Sequence, residues 1–259
     1  MKKDNYLLSQ FNWTVINSPA KTGRANMEED EHLLANVKPG EAILRLYTWN
    51  PYCISLGHNQ PETILELEKL RADGIEYINR PTGGKAVLHA EELTYAVVLG
   101  FTERIQPGLI YEEINRALVR GLGEYDSRLS ACGLEEKQPD FRLHGFLPEG
   151  DACFSVPAKS ELKFRGRKIC GSAQRYNRNA VLQHGSLLTG DFHLRLPRYL
   201  RTSDELREKI YKSLLHSSTD LRTILEEEID INRLSESLTQ SFISEAEPAA
   251  AVQQAIIES

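Results

Sequence analysis

The chain has 259 residues, 41% apolar and 26% charged, and 31 Lys and Arg against 37 Asp and Glu leave a net charge of −6. This composition can bury a sizeable core, is far from that of a disordered chain, and offers no global positive field to gather nucleic acid or an anionic membrane. No run of 18 apolar residues could span a bilayer, and the opening MKKDNYLLSQFNWTVINS lacks the apolar stretch of a signal peptide, so the expected compartment is the cytoplasm. Its four cysteines, Cys53, Cys132, Cys153 and Cys170, have no spacing suited to zinc. In a reducing compartment they are free thiols, each either core filler or a nucleophile.

Along the chain, Asn26 is an N-cap candidate before an acidic turn and an apolar patch, which predicts a helix over roughly 26 to 37. AILRLYTW and PYCISLG read as short strands separated at Asn50-Pro51, and ILELEKLRADG as a helix stopped by Gly74. GIEYINR and LTYAVVLG are strand-like on either side of PTGGKAVLHAEE, within which AVL is apolar enough to be a strand. A helix, LIYEEINRALVRGLGEY, follows Pro107. Residues 126 to 152 have no clear period and read as a long surface connection arriving at Cys153. ELKFRGRKICGSAQRYNRNAVLQHGSLL then predicts a meander of three strands, with turns at Arg165-Gly166 and at Asn177 to Asn179. Beyond Pro197 the pattern is helical, and the Ala-rich end is either a last helix or a frayed tail. The economical organisation is a main domain over 1–200 with a helical C-terminal extension over 201–259, packed on it or trailing.

Three segments carry candidate chemistry. In NRPTGGKAVLH, Gly83 and Gly84 let the backbone approach a ligand or adopt positive φ, and Arg80 and Lys85 suit a phosphate or carboxylate; the same residues are equally compatible with a hairpin turn and solvated charges. In GDACFSVPAKSELKFRGRKICGSAQ, a loop cysteine, Cys153, precedes a strand lysine, Lys168. An ordinary cysteine, with a pKa near ~8.5, is about 3% thiolate at pH 7. An ammonium about 4 Å away at an effective dielectric near ~20 would favour the thiolate by up to ~4 kcal/mol. Spacing does not show that the two meet, and a buried structural cysteine beside an exposed lysine fits it too. Cys170 reads as core. In QHGSLL, His184 is either a hydrogen-bonded structural group or a catalyst, as are His58 and His89.

Taken in order, SLGHNQ, RPTGGKAVLH, ELTYAVV, ACF, GRKICGSAQ and QHGSLL resemble the successive motifs of the biotin/lipoate protein ligase superfamily over about residues 25 to 200. Within it the chain most resembles the LipM-type octanoyltransferases, whose nucleophile lies in an ACF segment and whose cysteine-tuning lysine lies in a GRKxxGSAQ segment. Those positions are Cys153 and Lys168. Cys153-Phe154 stands where ATP-dependent lipoate ligases resemble one another by an Asn-Asp pair, and Lys85 where they have a third glycine. Where many relatives have two arginines before x-TGG, this chain has Asn79-Arg80, so half of a doubled cationic contact is missing.

The resemblance implies an α+β fold, a mixed or antiparallel curved sheet packed with helices, and an apolar tunnel ending near the thiol. It implies substrate binding by Arg80, Thr82, Gly83, Gly84, Lys85, His89, Gly171, Ser172, Ala173 and His184. The implied reaction moves octanoyl from octanoyl-acyl carrier protein, through a Cys153 thioester, to a lysine of the glycine cleavage H protein or a lipoyl domain, with no ATP, metal or other cofactor and no nucleic-acid or membrane partner. Amidotransfer between lipoate-dependent proteins, ATP-dependent lipoate ligation and non-enzymatic lipoate binding are the competing readings.

Overall fold

The computed structural model describes residues 7–103, 105–135 and 161–244 and the backbone of 253–254. Strand β1 (Asn12–Asn17) is followed by helix α1 (Gly23–Asn36), then β2 (Glu41–Tyr47) and β3 (Cys53–Leu56). A 3-10 turn at Glu62–Ile64 leads into the short helix α2 (Leu67–Ala72), which ends before Gly74 at φ +66°. Next come β4 (Glu76–Asn79), β5 (Val87–His89), β6 (Glu92–Gly100) and the long helix α3 (Pro107–Tyr125). A 3-10 helix at Ser127–Ala131 and strand β7 (Cys132–Leu134) occupy part of the stretch expected to be irregular. β8 (Leu162–Phe164), β9 (Arg167–Lys168), β10 (Cys170–Tyr176) and β11 (Ala180–Leu188) form the expected meander, broken between Lys168 and Cys170. Helices α4 (Asp204–Ser217), α5 (Leu221–Leu225) and α6 (Ile231–Ile243) follow. The two-residue strand β12 (Gln253–Gln254) pairs with β1, where the sequence suggested a helix or a frayed end.

The main sheet runs β10-β11-β6-β2-β1-β12, antiparallel except where β2 and β12 flank β1 in parallel. Both its faces are covered, so every residue of β6 is buried and the strand reads as one apolar run. Leu93, Tyr95, Val97 and Leu99 of β6 share a core with Ile114 and Leu118 of α3 and Leu238 and Phe242 of α6. Ala96 and Val98 face the other way, onto Met27 and Leu34 of α1. A side sheet, β4-β3-β5, packs through Ile54, Leu56 and Leu88 against Ile210 and Leu214 of α4. A third, β7-β8-β9, ends in Lys168.

The α+β class and mixed sheet expected from the sequence are present. The start of α1 is not where it was expected. Thr22 caps it, its side chain accepting from Ala25 N at 3.3 Å. Asn26 lies a turn inside, fully buried, its Nδ2 donating to the carbonyls of Lys21 and Thr48. No described helix is long and apolar enough to cross a membrane.

Candidate active site

The loop joining β4 to β5 carries RPTGGKAVLH and is fastened from within. Arg80, buried, donates from Nη1 to the Ser55 carbonyl and Oγ at 3.0 and 3.1 Å, and from Nη2 to the Gly83 and Lys85 carbonyls at 2.8 Å each. This guanidinium, read in the sequence as a cation for an anionic ligand, binds the loop's own carbonyls. Lys85 contributes its carbonyl to that clasp. Gly84 has φ +101°, a conformation that favours glycine, and its carbonyl lies so close to Gly57 that a side chain there would strike it. Asn79 donates from Nδ2 to the carbonyls of Gly57 and Gln60.

Beneath the loop is a cavity of about 270 Å³. Its polar wall includes Arg80, Ser55, His89, Thr94, His184 and Ser186, and its apolar wall Met27, Tyr47, Trp49, Val87 and Ala173, with Gly83, Gly84, Gly171 and Ser172 at the loop and β10 edges. Of the residues proposed from sequence, eight therefore meet in one cavity. Thr82 is buried just behind it, bonded at 2.8 Å to His184 Nε2. His184 Nδ1 lies 3.0 Å from Asp30 Oδ2, and Asp30 also accepts from Arg45 Nη1 at 2.8 Å and from the Tyr47 hydroxyl at 2.9 Å. This knot ties α1, β2, β11 and the TGG loop together.

A second buried polar chain crosses the cavity wall. His89 Nε2 is 2.7 Å from Ser55 Oγ, and its Nδ1 is 2.8 Å from Glu92 Oε1 and 3.1 Å from Ser186 Oγ. Thr94 donates to the same Glu92 oxygen at 2.5 Å and receives the Trp49 indole N–H at 2.7 Å. The Trp49 ring stacks on His89 with centroids 4.0 Å apart.

Lys168 is buried, with Nζ 2.8 Å from Glu161 Oε1, itself buried. Its backbone is held by Thr219, whose N–H donates to the Lys168 carbonyl at 3.0 Å. The alternative reading of an exposed strand lysine is therefore incorrect, and the ammonium already has a carboxylate partner. Cys153 lies outside the described residues. Burial pushes the thiols of Cys132 and Cys170 up to about 12, and that of Cys53 well above the ordinary range. These three are core thiols, poor nucleophiles at neutral pH, as expected for Cys170.

Sequence reasoning missed Asp30, Arg45, Ser55, Glu92 and Glu161. Each is a polar residue at an inward position, and only Glu92, three residues beyond His89, had a spacing that could have drawn notice.

The chain matches the model for the lipoyl protein ligase A/B catalytic domain over residues 22–243. It is 31% identical to octanoyltransferase LipM of Staphylococcus aureus over 239 residues, covering 89% of this chain and 85% of that one. It is 33% identical to octanoyltransferase LipM of Kyrpidia tusciae with the same coverage of each. In three dimensions it is similar to the bipartite lipoate protein ligase of Thermoplasma acidophilum, with TM-score 0.72 and 19% identity over 96% of this chain and 88% of that one. The motif order, the sheet and the cavity beneath the TGG loop thus agree with the family match, and the chain belongs to the lipoyl protein ligase A/B catalytic domain family.

Proposed function

We propose that this protein is a cytoplasmic octanoyltransferase of protein lipoylation, which takes octanoyl from octanoyl-acyl carrier protein onto Cys153 and passes it to a lysine of the H protein or of a lipoyl domain. The catalytic unit falls within residues 1–200, and the described helices of 201–244 are an extension packed on it. The observation that carries the reading is similarity to octanoyltransferases along 89% of the chain. The cavity supports it, since a linear acyl chain can lie against Met27, Trp49 and Val87 while its carbonyl meets the polar wall. The cysteines support it as well: the three described thiols are buried and held protonated, which leaves Cys153 as the candidate nucleophile.

In this scheme the Cys153 thiolate attacks the donor thioester. The C–S bond to the carrier breaks with its electron pair on the carrier sulfur, which takes up a proton. Lys168 stabilises the thiolate and, with backbone N–H groups near Cys153, the tetrahedral oxyanion; removing one such donor typically costs ~10²–10³ in rate. Arg80, Thr82, Gly83, Gly84, Lys85, His89, His184 and the Gly171-Ser172-Ala173 edge bind the acyl group and shape its seat. The lysine amine then displaces sulfur, and amide formation drives transfer forward.

The test is transfer to a lipoyl domain from octanoyl-acyl carrier protein in the absence of ATP, read by mass on the acceptor lysine. Formation of N-octanoyl-lysine is the expected result. A requirement for ATP and free octanoate would replace this reading with ligation, and transfer only from an already acylated H protein would replace it with amidotransfer.

A further inference from the structure

Trp49 is the largest apolar side chain on the cavity wall, and the main sheet does not set its ring. Strand β2 stops at Tyr47, and Trp49 is joined to Lys21 by an isolated bridge. Two side-chain contacts orient the ring: the indole N–H donates to Thr94 Oγ1 at 2.7 Å, and the ring lies on His89 with centroids 4.0 Å apart. Both supports lead to a single atom. Thr94 Oγ1 donates to Glu92 Oε1 at 2.5 Å, and His89 Nδ1 stands 2.8 Å from the same oxygen. Glu92 and Thr94 alternate with Leu93 and Tyr95 along β6, so Glu92 shares the sheet face of Thr94, which lines the cavity.

The direction of each bond follows from groups that act in one sense alone. An indole N–H only donates, so the Thr94 oxygen accepts and its own hydrogen goes to Glu92. A carboxylate only accepts, which assigns a second hydrogen to His89 Nδ1, with Ser186 Oγ a longer neighbour at 3.1 Å. His89 Nε2 is then an acceptor, filled at 2.7 Å by Ser55 Oγ, and Ser55 accepts in turn from Arg80 Nη1 at 3.1 Å. Two arms of donors therefore end on Glu92, one from the indole and one from the guanidinium that clasps the TGG loop. Every member of both arms is buried, where a donor that loses its acceptor is costly.

We infer that Glu92 is a positioning residue of the acyl seat: holding Trp49 through Thr94, and His89 directly, it keeps the ring wall in the arrangement that receives the acyl chain. The inference rests on the reading of the cavity as the acyl seat in the preceding section. It concerns the shape of the wall before any reaction and involves no proton transfer. Oε1 carries both donors, while Oε2 is buried without a hydrogen-bond partner among the described residues, so the role needs an acceptor oxygen at the first place alone. Glutamine supplies that oxygen and methionine does not. A wall correctly set only a tenth of the time raises the apparent Kd of a ligand ~10-fold.

The test titrates octanoamide, which presents the acyl chain without a thioester, into protein carrying fluorotryptophan, read by fluorine NMR. Trp13, packed on Phe242 in the core on the other face of the sheet, is the internal control, and Trp13→Phe assigns the two lines. In wild type, octanoamide should shift the Trp49 line and leave that of Trp13 in place. In Glu92→Met the Trp49 line should move or broaden before ligand is added, with Trp13 unchanged, and Kd should rise ~10-fold. Glu92→Gln should restore the line and bring Kd within about threefold of wild type. Thr94→Val, which cuts the indole arm alone, should move the same line and raise Kd. A Trp49 line and Kd equal to wild type in Glu92→Met overturn the inference, as does an equal change in the Trp13 line, which would mark a general loss of the core. If Glu92→Met does not fold, Thr94→Val decides, and a wild-type Trp49 line and Kd there overturn the inference; if neither folds, the array supports only the fold and the inference falls. Failure of wild type itself to bind octanoamide at Trp49 would show instead that the cavity is not the acyl seat.

Discussion

At the scale of single residues, the account turns on four cysteines in different environments. Cys153→Ala is expected to lower octanoyl transfer by on the order of 10³-fold or more, whereas Cys170→Ala should retain most activity, because its thiol is buried and pushed up to about 12. Comparable activity in Cys153→Ala would contradict the covalent scheme. Lys168 needs a more careful variant than its motif suggested. Replacing it with Met leaves Glu161 charged and buried, and breaking a buried pair in this way typically costs about 3–5 kcal/mol, so loss of activity could reflect loss of the fold. Lys168→Met combined with Glu161→Gln removes both charges and should recover much of that stability in urea denaturation. Equal stabilities of the single and double variants would show that the pair is not coupled. Cys153 and Lys168 drew notice because they stand in motifs. Glu161 did not, since nothing in AKSELKF distinguishes an inward carboxylate from a solvated one.

At the scale of elements, the strands were read well where burial leaves a pattern. β6 showed as a continuous apolar run because α1 and α3 cover its two faces, and the turn at Arg165-Gly166 showed in its glycine. β1 and β7 were not predicted. Their sequences, NWTVIN and CGL, are short and mixed, and their place is fixed by partners distant in the chain: Glu41–Leu46 for β1 and Leu162–Phe164 for β7. The C-terminal helices are similar: their period was legible, but not that the 218–219 segment would hold the strand bearing Lys168. His193 belongs to that seat. It is buried, with Nε2 2.9 Å from Ser218 Oγ and Nδ1 3.3 Å from the Gly190 carbonyl. Burial lowers its pKa below the ordinary 6.5, outweighing the Gly190 carbonyl, Asp220, Asp191 and Glu92, which act in the opposite sense. The unfolded chain therefore binds more protons than the folded one between that lowered value and about 6.5. Stability should be full above this window and fall as the pH drops through it, by at most ~1.4 kcal/mol per pH unit from this group. Urea titrations from pH 7.5 to 5 should show a shallower loss in His193→Gln than in wild type. Identical slopes would remove His193 from the acid response.

At the scale of the whole molecule, the sheet, the TGG loop and α1 enclose a cavity whose walls come from distant parts of the chain: Tyr47 and Trp49 near β2, His89 from β5, Ala173 from β10 and His184 from β11. Motif order foretold that these segments would converge. It did not foretell the two buried polar chains, Asp30-His184-Thr82 and Glu92-His89-Ser55, because hydrogen-bond partners far apart in sequence leave no local period. A cavity of about 270 Å³ should prefer a medium chain, each buried CH₂ contributing roughly 0.8 kcal/mol until the walls are met and overpacking begins. Transfer rates measured from butanoyl to hexadecanoyl donors should peak near eight carbons, and a flat profile would contradict a seat of limited length.

The central claim is that Cys153 carries the acyl group, and intact mass of the protein after brief exposure to octanoyl-acyl carrier protein, without acceptor, tests it most directly. The expected result is a gain of one octanoyl group, removed by hydroxylamine, mapped to the peptide containing Cys153 and absent from Cys153→Ala. An unmodified protein that nevertheless transfers octanoyl to a lipoyl domain, or an adduct that persists in Cys153→Ala, would contradict it.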